Sequence, residues 1–332
     1  MVVERTLVSK SAALPEASPD EVGAGVAKPR KKWTQRFWRD KTLLLMCLPG
    51  LAVLITFHYA ALAGNVIAWK DYKPYLSIGA SDWVGWDNFK VITEGDPAFL
   101  GALKNTLILT LIQSVLIFPA PIILALLLNS VMSQRIKRTV QSVLYLPHFL
   151  SWVVVVAVFQ SILGGGGLIN SFLRQQGATT LDIIGNPDLF IALLTSQVMW
   201  KDTGWATILF LAALSGIDNS LYEATAVDGA SRWRQMWHVT LPGLRGIIIL
   251  LLILRLGDSL SVGFEQIILQ QRAVGLDASE VIDTYVFNHG VVGNAWGEAT
   301  AVGLVKGVIG TLLVLGANKL AHVFGEQGVY KA

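Results

Sequence analysis

The chain has 332 residues, of which 53% are hydrophobic and only 15% are charged, and its formal net charge is +3. A soluble globular chain carries roughly 25% charged residues, so the long uncharged stretches indicate membrane-spanning helices rather than a large soluble core. The small net charge gives no indication of nucleic-acid binding. The single cysteine, Cys47, excludes an internal disulfide framework.

Residues 1–40 differ in composition from the rest of the chain. They mix Pro, Ala, Ser and Glu without apolar periodicity and end in a basic cluster between Lys28 and Arg39. We interpret 1–40 as a disordered, basic cytoplasmic tail and 41–325 as a transmembrane domain. The apolar run that follows the tail, Thr42 to Trp69, exceeds the hydrophobic region of about 7–15 residues in a secretory signal peptide.

The apolar runs predict an all-α integral membrane protein with six spanning helices, since each span needs about 20 mostly apolar residues. The predicted spans are 43–67, 105–131, 140–163, 190–215, 247–269 and 299–320. The first three lack charged residues, whereas the last three contain some. Pro119 and Pro121 lie inside the second span and predict a kink there, because proline removes a backbone donor.

The distribution of Lys and Arg predicts the orientation in the membrane. Most of the 26 Lys and Arg residues fall in the tail and in alternate connections, 132–139, 216–246 and the segment after 318. Positive charge favours the cytoplasmic side, so we expect both termini to be cytoplasmic in a multi-pass protein of the plasma (inner) membrane. Trp69, Trp83 and Trp86 follow the first span, where indole rings favour the headgroup region.

The cytoplasmic connection 218–245 predicts two short helices separated by a glycine. Asp218, or one of the two residues after it, can cap the first helix, which Gly229 can end in a left-handed conformation. Ser231 can cap the second helix, and Pro242 falls where the fifth span begins. Small side chains on the first helix allow close approach, so this arrangement favours docking into the groove of a partner.

The spacing in this connection resembles the loop of permease subunits in binding-protein-dependent ATP-binding-cassette importers. That loop reads Glu-Ala-Ala, three residues, Gly, nine residues, then Ile-x-Leu-Pro. Here the matching positions are Glu223, Ala224, Gly229, Leu241 and Pro242, with Thr225 and Val239 as mild departures. The resemblance implies that these five residues belong to the loop that couples the permease to its ATPase. A generic amphipathic connector is the alternative.

The resemblance covers almost the whole chain after residue 40 and is strongest to carbohydrate importers. Four stretches look like the branch that imports alginate and rhamnogalacturonan oligosaccharides: 118–129, 145–154, 200–205 and 262–266. It implies a second related permease, two ATP-binding subunits, an extracytoplasmic solute-binding protein and a carbohydrate substrate. The chain itself is expected to bind no cofactor or metal, because the partner ATPases would bind ATP.

Ionisable groups inside a span are costly and indicate function. In the fourth span, Trp200, Lys201, Asp202 and Trp205 combine aromatic and polar groups, which suits a sugar. The alternative is that Lys201 and Asp202 pair with other helices.

In the fifth span, Arg255, Asp258 and Glu265 are predicted near one helix face, lining the substrate path or the interface between permeases. Lys306 in the sixth span either lies on the path or pairs with an acidic residue of a neighbouring helix.

Other functional classes find less support in the sequence. A membrane enzyme would need paired carboxylates, a metal motif or a nucleophile elbow, and none is present. Gly164–Gly167 lacks the Lys-Ser/Thr of a phosphate-binding loop, so the chain is not expected to be an ATPase. An ion-driven secondary carrier would use intramembrane charges but has no use for a coupling loop. A permease for a non-sugar solute remains the nearest alternative.

Overall fold

The computed structural model describes residues 41–323, 325 and 328, and it divides the chain into two units after Leu62. The predicted tail, 1–40, lies outside the described residues. The predicted all-α class is confirmed, since the described strands are one hairpin, β1 (Lys70–Asp71) and β2 (Asp82–Trp83). This hairpin is antiparallel and pairs Lys70 with Trp83.

The first predicted span forms a continuous run of helical turns. It begins with α1 (Lys41–Leu54) and continues through a π-helical turn, Ile55–Tyr59, into α2 (Ala60–Ala63) and a 3-10 segment, Gly64–Trp69. Every residue from 41 to 62 is exposed, which fits a helix that meets lipid. The connection that follows also holds a 3-10 turn, Asp87–Phe89, and a π turn, Val91–Gly95.

The second predicted span is broken where the prolines predict a kink. The helix α3 (Pro97–Leu116) is capped by Asp96, whose carboxylate accepts the Phe99 N–H at 2.9 Å. The helix α4 (Pro119–Ser130) starts at the first proline, because a proline tolerates the first helical position but not the interior.

The prediction of one continuous span over 140–163 is wrong. An amphipathic helix, α5 (Gln134–Tyr145), is followed by a 3-10 turn, Leu146–Phe149, and only then by α6 (Trp152–Leu163). Two local signals explain the break. Pro147 lacks a backbone donor, and the Ser151 hydroxyl caps the new helix by accepting the Val154 N–H. A short helix, α7 (Leu168–Gln175), follows.

The fourth predicted span coincides with a helix, α8 (Pro187–Ser215), of 29 residues, which packs between its neighbours. One apolar cluster around its second half joins Ala125 of α4, Phe210 and Leu214 of α8, and Leu244. Gly204 allows α5 to approach closely, since a Cβ at Gly204 would lie 2.0 Å from the Leu144 carbonyl oxygen. The helix therefore supports the region that holds Lys201 and Asp202.

The connection 218–245 contains α9 (Asn219–Val227) and α10 (Arg232–Gln235). A π-helical turn, Met236–Thr240, joins α10 to α11 (Leu241–Gly257).

The predicted fifth span, 247–269, is too long at its outer end. The helix α11 stops at Gly257, and Gly263 has a φ of +59° before the next helix begins. Beyond it, Gln266 and Gln270 are buried with Gln197 of α8, and their amides bond to it at 2.7 and 3.0 Å. Buried amides need hydrogen-bond partners, so this segment packs against α8 instead of continuing the span. It forms four short helices: α12 (Phe264–Ile268), α13 (Gln271–Val274), α14 (Leu276–Ser279) and α15 (Ile282–Tyr285).

The sixth predicted span is confirmed as α16 (Trp296–Val323), which follows a π segment, Val286–Val292. Within the described residues, five helical stretches are long and apolar enough to cross a membrane: Lys41–Trp69, Pro97–Ser130, Trp152–Gln175, Arg232–Gly257 and Trp296–Val323. The long helix α8 is not among them. Its middle carries Lys201 and Asp202.

Candidate functional site

The connection 218–245 has the predicted helix–glycine–helix form. The Asp218 carboxylate caps α9 by accepting the Ser220 N–H at 2.9 Å, and this bond lowers the pKa of Asp218. Gly229 has a φ of +73°, a left-handed conformation that glycine adopts without strain. The N–H of Gly229 then bonds to the Ala226 carbonyl at 3.0 Å, which ends the helix.

The second half of the connection leads directly into the membrane. The Ser231 hydroxyl caps α10 by accepting the Arg234 N–H at 3.4 Å. Residues 232–257 then run as one helical stretch through the π turn. Leu241 and Pro242 therefore lie within a continuous helix, six residues earlier than the predicted start of the span, and Pro242 occupies a first-turn position of α11.

One face of α9 is exposed to solvent in the part of the chain that the structure describes. Glu223 and Ala224 are exposed, as are Leu221 and Val227, at 51% and 88%. Among the described residues, no hydrogen bond or ion pair involves the Glu223 side chain, so its carboxylate is available to another molecule. Exposed indoles of Trp233 and Trp237 lie further along the connection, 6.1 Å apart. We call the exposed side chains of 221, 223, 224 and 227 the docking face.

Lys201 is buried against the break between α5 and α6. Its ammonium donates to the carbonyl oxygens of His148 at 2.6 Å and Leu150 at 2.7 Å, and it lies 5.6 Å from the Trp152 ring. Only 8% of Lys201 is exposed. These bonds satisfy carbonyls that the helix break leaves without intrahelical donors, so Lys201 has a structural role in this conformation.

Asp202 belongs to a polar and aromatic cluster beside Lys201. A carboxylate oxygen of Asp202 lies 2.9 Å from Nδ1 of His148. The imidazole stacks on Trp205 with ring centroids 4.5 Å apart and planes 4° apart. Trp200 lies elsewhere on α8, against Phe159, and is 42% exposed. The predicted quartet of 200, 201, 202 and 205 therefore does not form one surface.

A cavity of about 310 Å³ lies between α4, α8 and α11, and it brings together Asp202, Arg255 and Asp258. The Arg255 guanidinium also donates to the Gln113 side-chain oxygen at 2.9 Å. Thr203 also lines this cavity, but its hydroxyl oxygen is buried and has no hydrogen-bond partner among the described residues. Apolar walls with a few convergent polar groups are typical of small-molecule sites. We call this space the central cavity.

Of the remaining predicted path residues, Asp258 stays beside Arg255 in the central cavity, whereas Glu265 does not line it. Asp258 caps the end of α11 and Glu265 is exposed on α12, so the prediction that 255, 258 and 265 lie near one helix face is wrong for Glu265. The break at Gly257 is the reason. Lys306 forms an ion pair with Asp283, as the pairing alternative anticipated, beside a second cavity that Asp258 also lines.

Sequence reasoning missed His148, Gln113 and Thr203. His148 lies in the stretch 145–154 that carries the family resemblance, and its neighbour Pro147 gave a signal for the break. Thr203 likewise lies in the resembling stretch 200–205, whereas Gln113 is an uncharged residue inside an apolar run and gave no comparable signal.

Comparison with known proteins decides the family. The sequence profile described as "Binding-protein-dependent transport system inner membrane component" matches residues 117–324. The chain belongs to this family of transporter permeases. The matched region begins beside Phe118 and contains α4 to α16, so it includes the docking face and most of the central cavity.

Two curated relatives match this permease nearly end to end. The polygalacturonan/rhamnogalacturonan transport system permease protein YteP of Bacillus subtilis (strain 168) is 43% identical over 95% of this chain and 99% of its own length. Protein LplB of the same organism is also 43% identical, over 90% of this chain and 94% of its own.

A solved structure of a bacterial alginate ABC transporter, in complex with an alginate pentasaccharide-bound periplasmic protein, has a chain with the same fold. That chain superposes with a TM-score of 0.80 at 34% identity, covering 90% of this permease and all of the transporter chain.

Proposed function

We propose that this permease is the membrane subunit of an ATP-driven importer and passes an oligosaccharide into the cytoplasm. An extracytoplasmic binding protein delivers the sugar, and separate ATPase subunits supply the energy. The chain itself neither hydrolyses ATP nor carries a cofactor. Its membership of the binding-protein-dependent family supports the delivery step.

The single observation that carries the sugar assignment is the match to YteP. Identity of 43% extends over 99% of a permease that is named for polygalacturonan and rhamnogalacturonan transport. The alginate transporter supports the same class of substrate, because its complex contains an alginate pentasaccharide bound to the periplasmic protein. An amino-acid, phosphate or metal importer would share the docking connection but has no such support.

The central cavity supplies the chemistry that an oligosaccharide needs. The Asp202 carboxylate can accept bonds from sugar hydroxyls, and the Arg255 guanidinium can donate to hydroxyl or carboxylate oxygens. Phe118 offers an apolar surface to a sugar face. These groups are few and dispersed, which suits a passage site that must release its cargo.

The docking face supports an ATPase partner on the cytoplasmic side. It is exposed and holds the unpaired Glu223 carboxylate, next to small Ala224, on a capped helix. A second permease completes the complex in this proposal. Both termini are cytoplasmic in the orientation that the Lys and Arg distribution favours.

Uptake by the reconstituted complex tests the proposal. The permease is co-expressed with its partner subunits and placed in vesicles with ATP inside and the binding protein outside. Labelled oligogalacturonides should accumulate only when both ATP and the binding protein are present. Uptake driven by an ion gradient without ATP would identify a secondary carrier. Accumulation of amino acids or phosphate, with no sugar uptake, would overturn the sugar assignment.

A further inference from the structure

A polar contact inside the cytoplasmic connection joins two points that are far apart along the chain. The Tyr222 hydroxyl lies 3.0 Å from the Thr240 hydroxyl, and the Gln235 amide donates to the Tyr222 carbonyl oxygen at 3.4 Å. Tyr222 lies in the middle of α9. Thr240 is 5% exposed and is the last residue of the π turn, immediately before α11.

The backbone route between the same two points is loosely held. It passes through Gly229, which is exposed, has a φ of +73°, and has nothing within 4 Å of the place where a Cβ would lie. Residues 231–234 are also exposed. A displacement of α9 can therefore be absorbed in this stretch instead of being passed along the chain to α11.

Close packing does not duplicate the contact between Tyr222 and Thr240. Both residues line a cavity of about 440 Å³ between the end of α4 and the cytoplasmic connection. Tyr222 is half-buried, whereas Glu223 and Ala224 beside it belong to the exposed docking face. The helix α9 therefore presents one side to solvent and is held from the other side by Tyr222.

We infer that the Tyr222–Thr240 hydroxyl pair is the link through which movement of α9 reaches the membrane helix α11. Both are positioning residues, and they would touch neither sugar nor nucleotide. The pair joins α9 to the residue immediately before α11, which ends a π-helical turn, and such turns are frequent at functional sites. The inference rests on the proposed function, because it requires an ATPase that moves the docking face.

Removing either hydroxyl tests the link. Tyr222→Phe and Thr240→Val delete one hydroxyl each with little change of shape, and Thr240→Ser retains it. The measured quantity is the coupling ratio, defined as the ATPase rate of the complete complex with ligand-loaded binding protein divided by the rate without it. We expect about a fivefold lower ratio in Tyr222→Phe and Thr240→Val, which equals about 1 kcal/mol, the usual contribution of one hydrogen bond.

Three further results distinguish the link from a general structural role. Thr240→Ser should have the same coupling ratio as the wild type. The double variant Tyr222→Phe/Thr240→Val should be no worse than Thr240→Val alone, because Thr240→Val already removes the bond that Tyr222→Phe deletes. Thr139→Val serves as the control, since its exposed hydroxyl bonds only to Arg135 of its own helix, and it should leave the ratio unchanged.

Several outcomes would overturn the inference. These are wild-type coupling in both single variants, additive losses in the double variant, a loss in Thr240→Ser equal to that in Thr240→Val, or failure of both single variants to assemble. Failure of the proposed function looks different, because the wild-type complex would then show no ATP-dependent uptake. If the wild-type complex imports sugar with ATP and the variants have the wild-type coupling ratio, only the inference about the Tyr222–Thr240 pair is wrong.

Discussion

Nδ1 of His148 lies 2.9 Å from a carboxylate oxygen of Asp202, across the 54 residues that separate the break after α5 from the middle of α8. The pair places a carboxylate at the wall of the central cavity while the imidazole stacks on Trp205. An isosteric amide at 202 can still bond to the imidazole. The Asp202→Asn substitution therefore removes the negative charge while keeping the size of the side chain and its contact with His148.

Asp202→Asn is expected to lower oligosaccharide uptake by about tenfold, since a hydrogen bond to a charged acceptor is worth about 1.5–3 kcal/mol. Assembly with the partner subunits should be retained. The matched control is Asp188→Asn, an exposed position in the first turn of the same helix. Uptake kinetics in reconstituted vesicles provide the measurement, and wild-type kinetics in Asp202→Asn would exclude a role in the sugar path.

Lys201→Met is expected to destabilise the permease, because it leaves the carbonyls of His148 and Leu150 without their donor. An unpaired buried acceptor costs about 1–3 kcal/mol, so the melting temperature in detergent should fall clearly. Lys90→Ala removes a surface pair with Asp87 and should change the melting temperature little. A normal melting temperature together with lost uptake would instead place Lys201 on the sugar path.

Gly204→Ala is expected to disturb the contact of α8 with α5. The added Cβ would lie 2.0 Å from the Leu144 carbonyl oxygen, and overpacking of this kind typically costs about 1–3 kcal/mol. Gly316→Ala in α16 adds the same methyl group to open, exposed space and should be neutral or stabilising. Membrane abundance and thermal denaturation of both variants test this, and an equally stable Gly204→Ala would contradict it.

These contacts also explain which parts of the fold could be predicted from the sequence. The helix–glycine–helix connection depends on neighbours in sequence, Asp218 with Ser220 and Gly229 with Ala226, so local rules predicted it correctly. The kink at Pro119 is likewise local. The segment after Gly257 was assigned to a span because it is mostly apolar. Its inward course depends on Gln197, about 70 residues earlier, and no local pattern reveals that partner.

The role of Lys201 shows the same limit at the site. A lysine inside an apolar helix correctly indicated an unusual position, but its partners are backbone carbonyls, which no sequence pattern marks. The convergence of Asp202 with Arg255 in one cavity likewise depends on the packing of α8 against α11.

Reporter fusions test the orientation. Fusions after residue 90 and after residue 175 should report an extracytoplasmic location, because the Lys and Arg distribution puts the alternate connections inside. A fusion after residue 228 should report the cytoplasm and serves as the internal control. Cytoplasmic signals from both of the first two positions would contradict the proposed orientation and would place the docking face on the wrong side for an ATPase.

Gly229→Asp is expected to abolish uptake while the protein accumulates in the membrane. The structure leaves open space around the position where the Cβ would lie, and aspartate tolerates a left-handed conformation better than most residues. The loop should therefore still fold, and the new side chain should instead obstruct the approach of the ATPase to the adjoining docking face. Glu223→Ala should act in the same direction but more mildly, since it removes a carboxylate without adding bulk.

Gly229→Asn separates shape from charge in this experiment, because asparagine has the size of aspartate and also tolerates positive φ. If obstruction is the cause, Gly229→Asn should lose uptake as well. If the negative charge is the cause, it should import. Membrane abundance, co-purification of the ATPase and uptake are measured together for each variant, because degradation of the protein would also stop uptake. Should Gly229→Asp accumulate normally, bind the ATPase and import at the wild-type rate, the connection 218–245 would not be the coupling element.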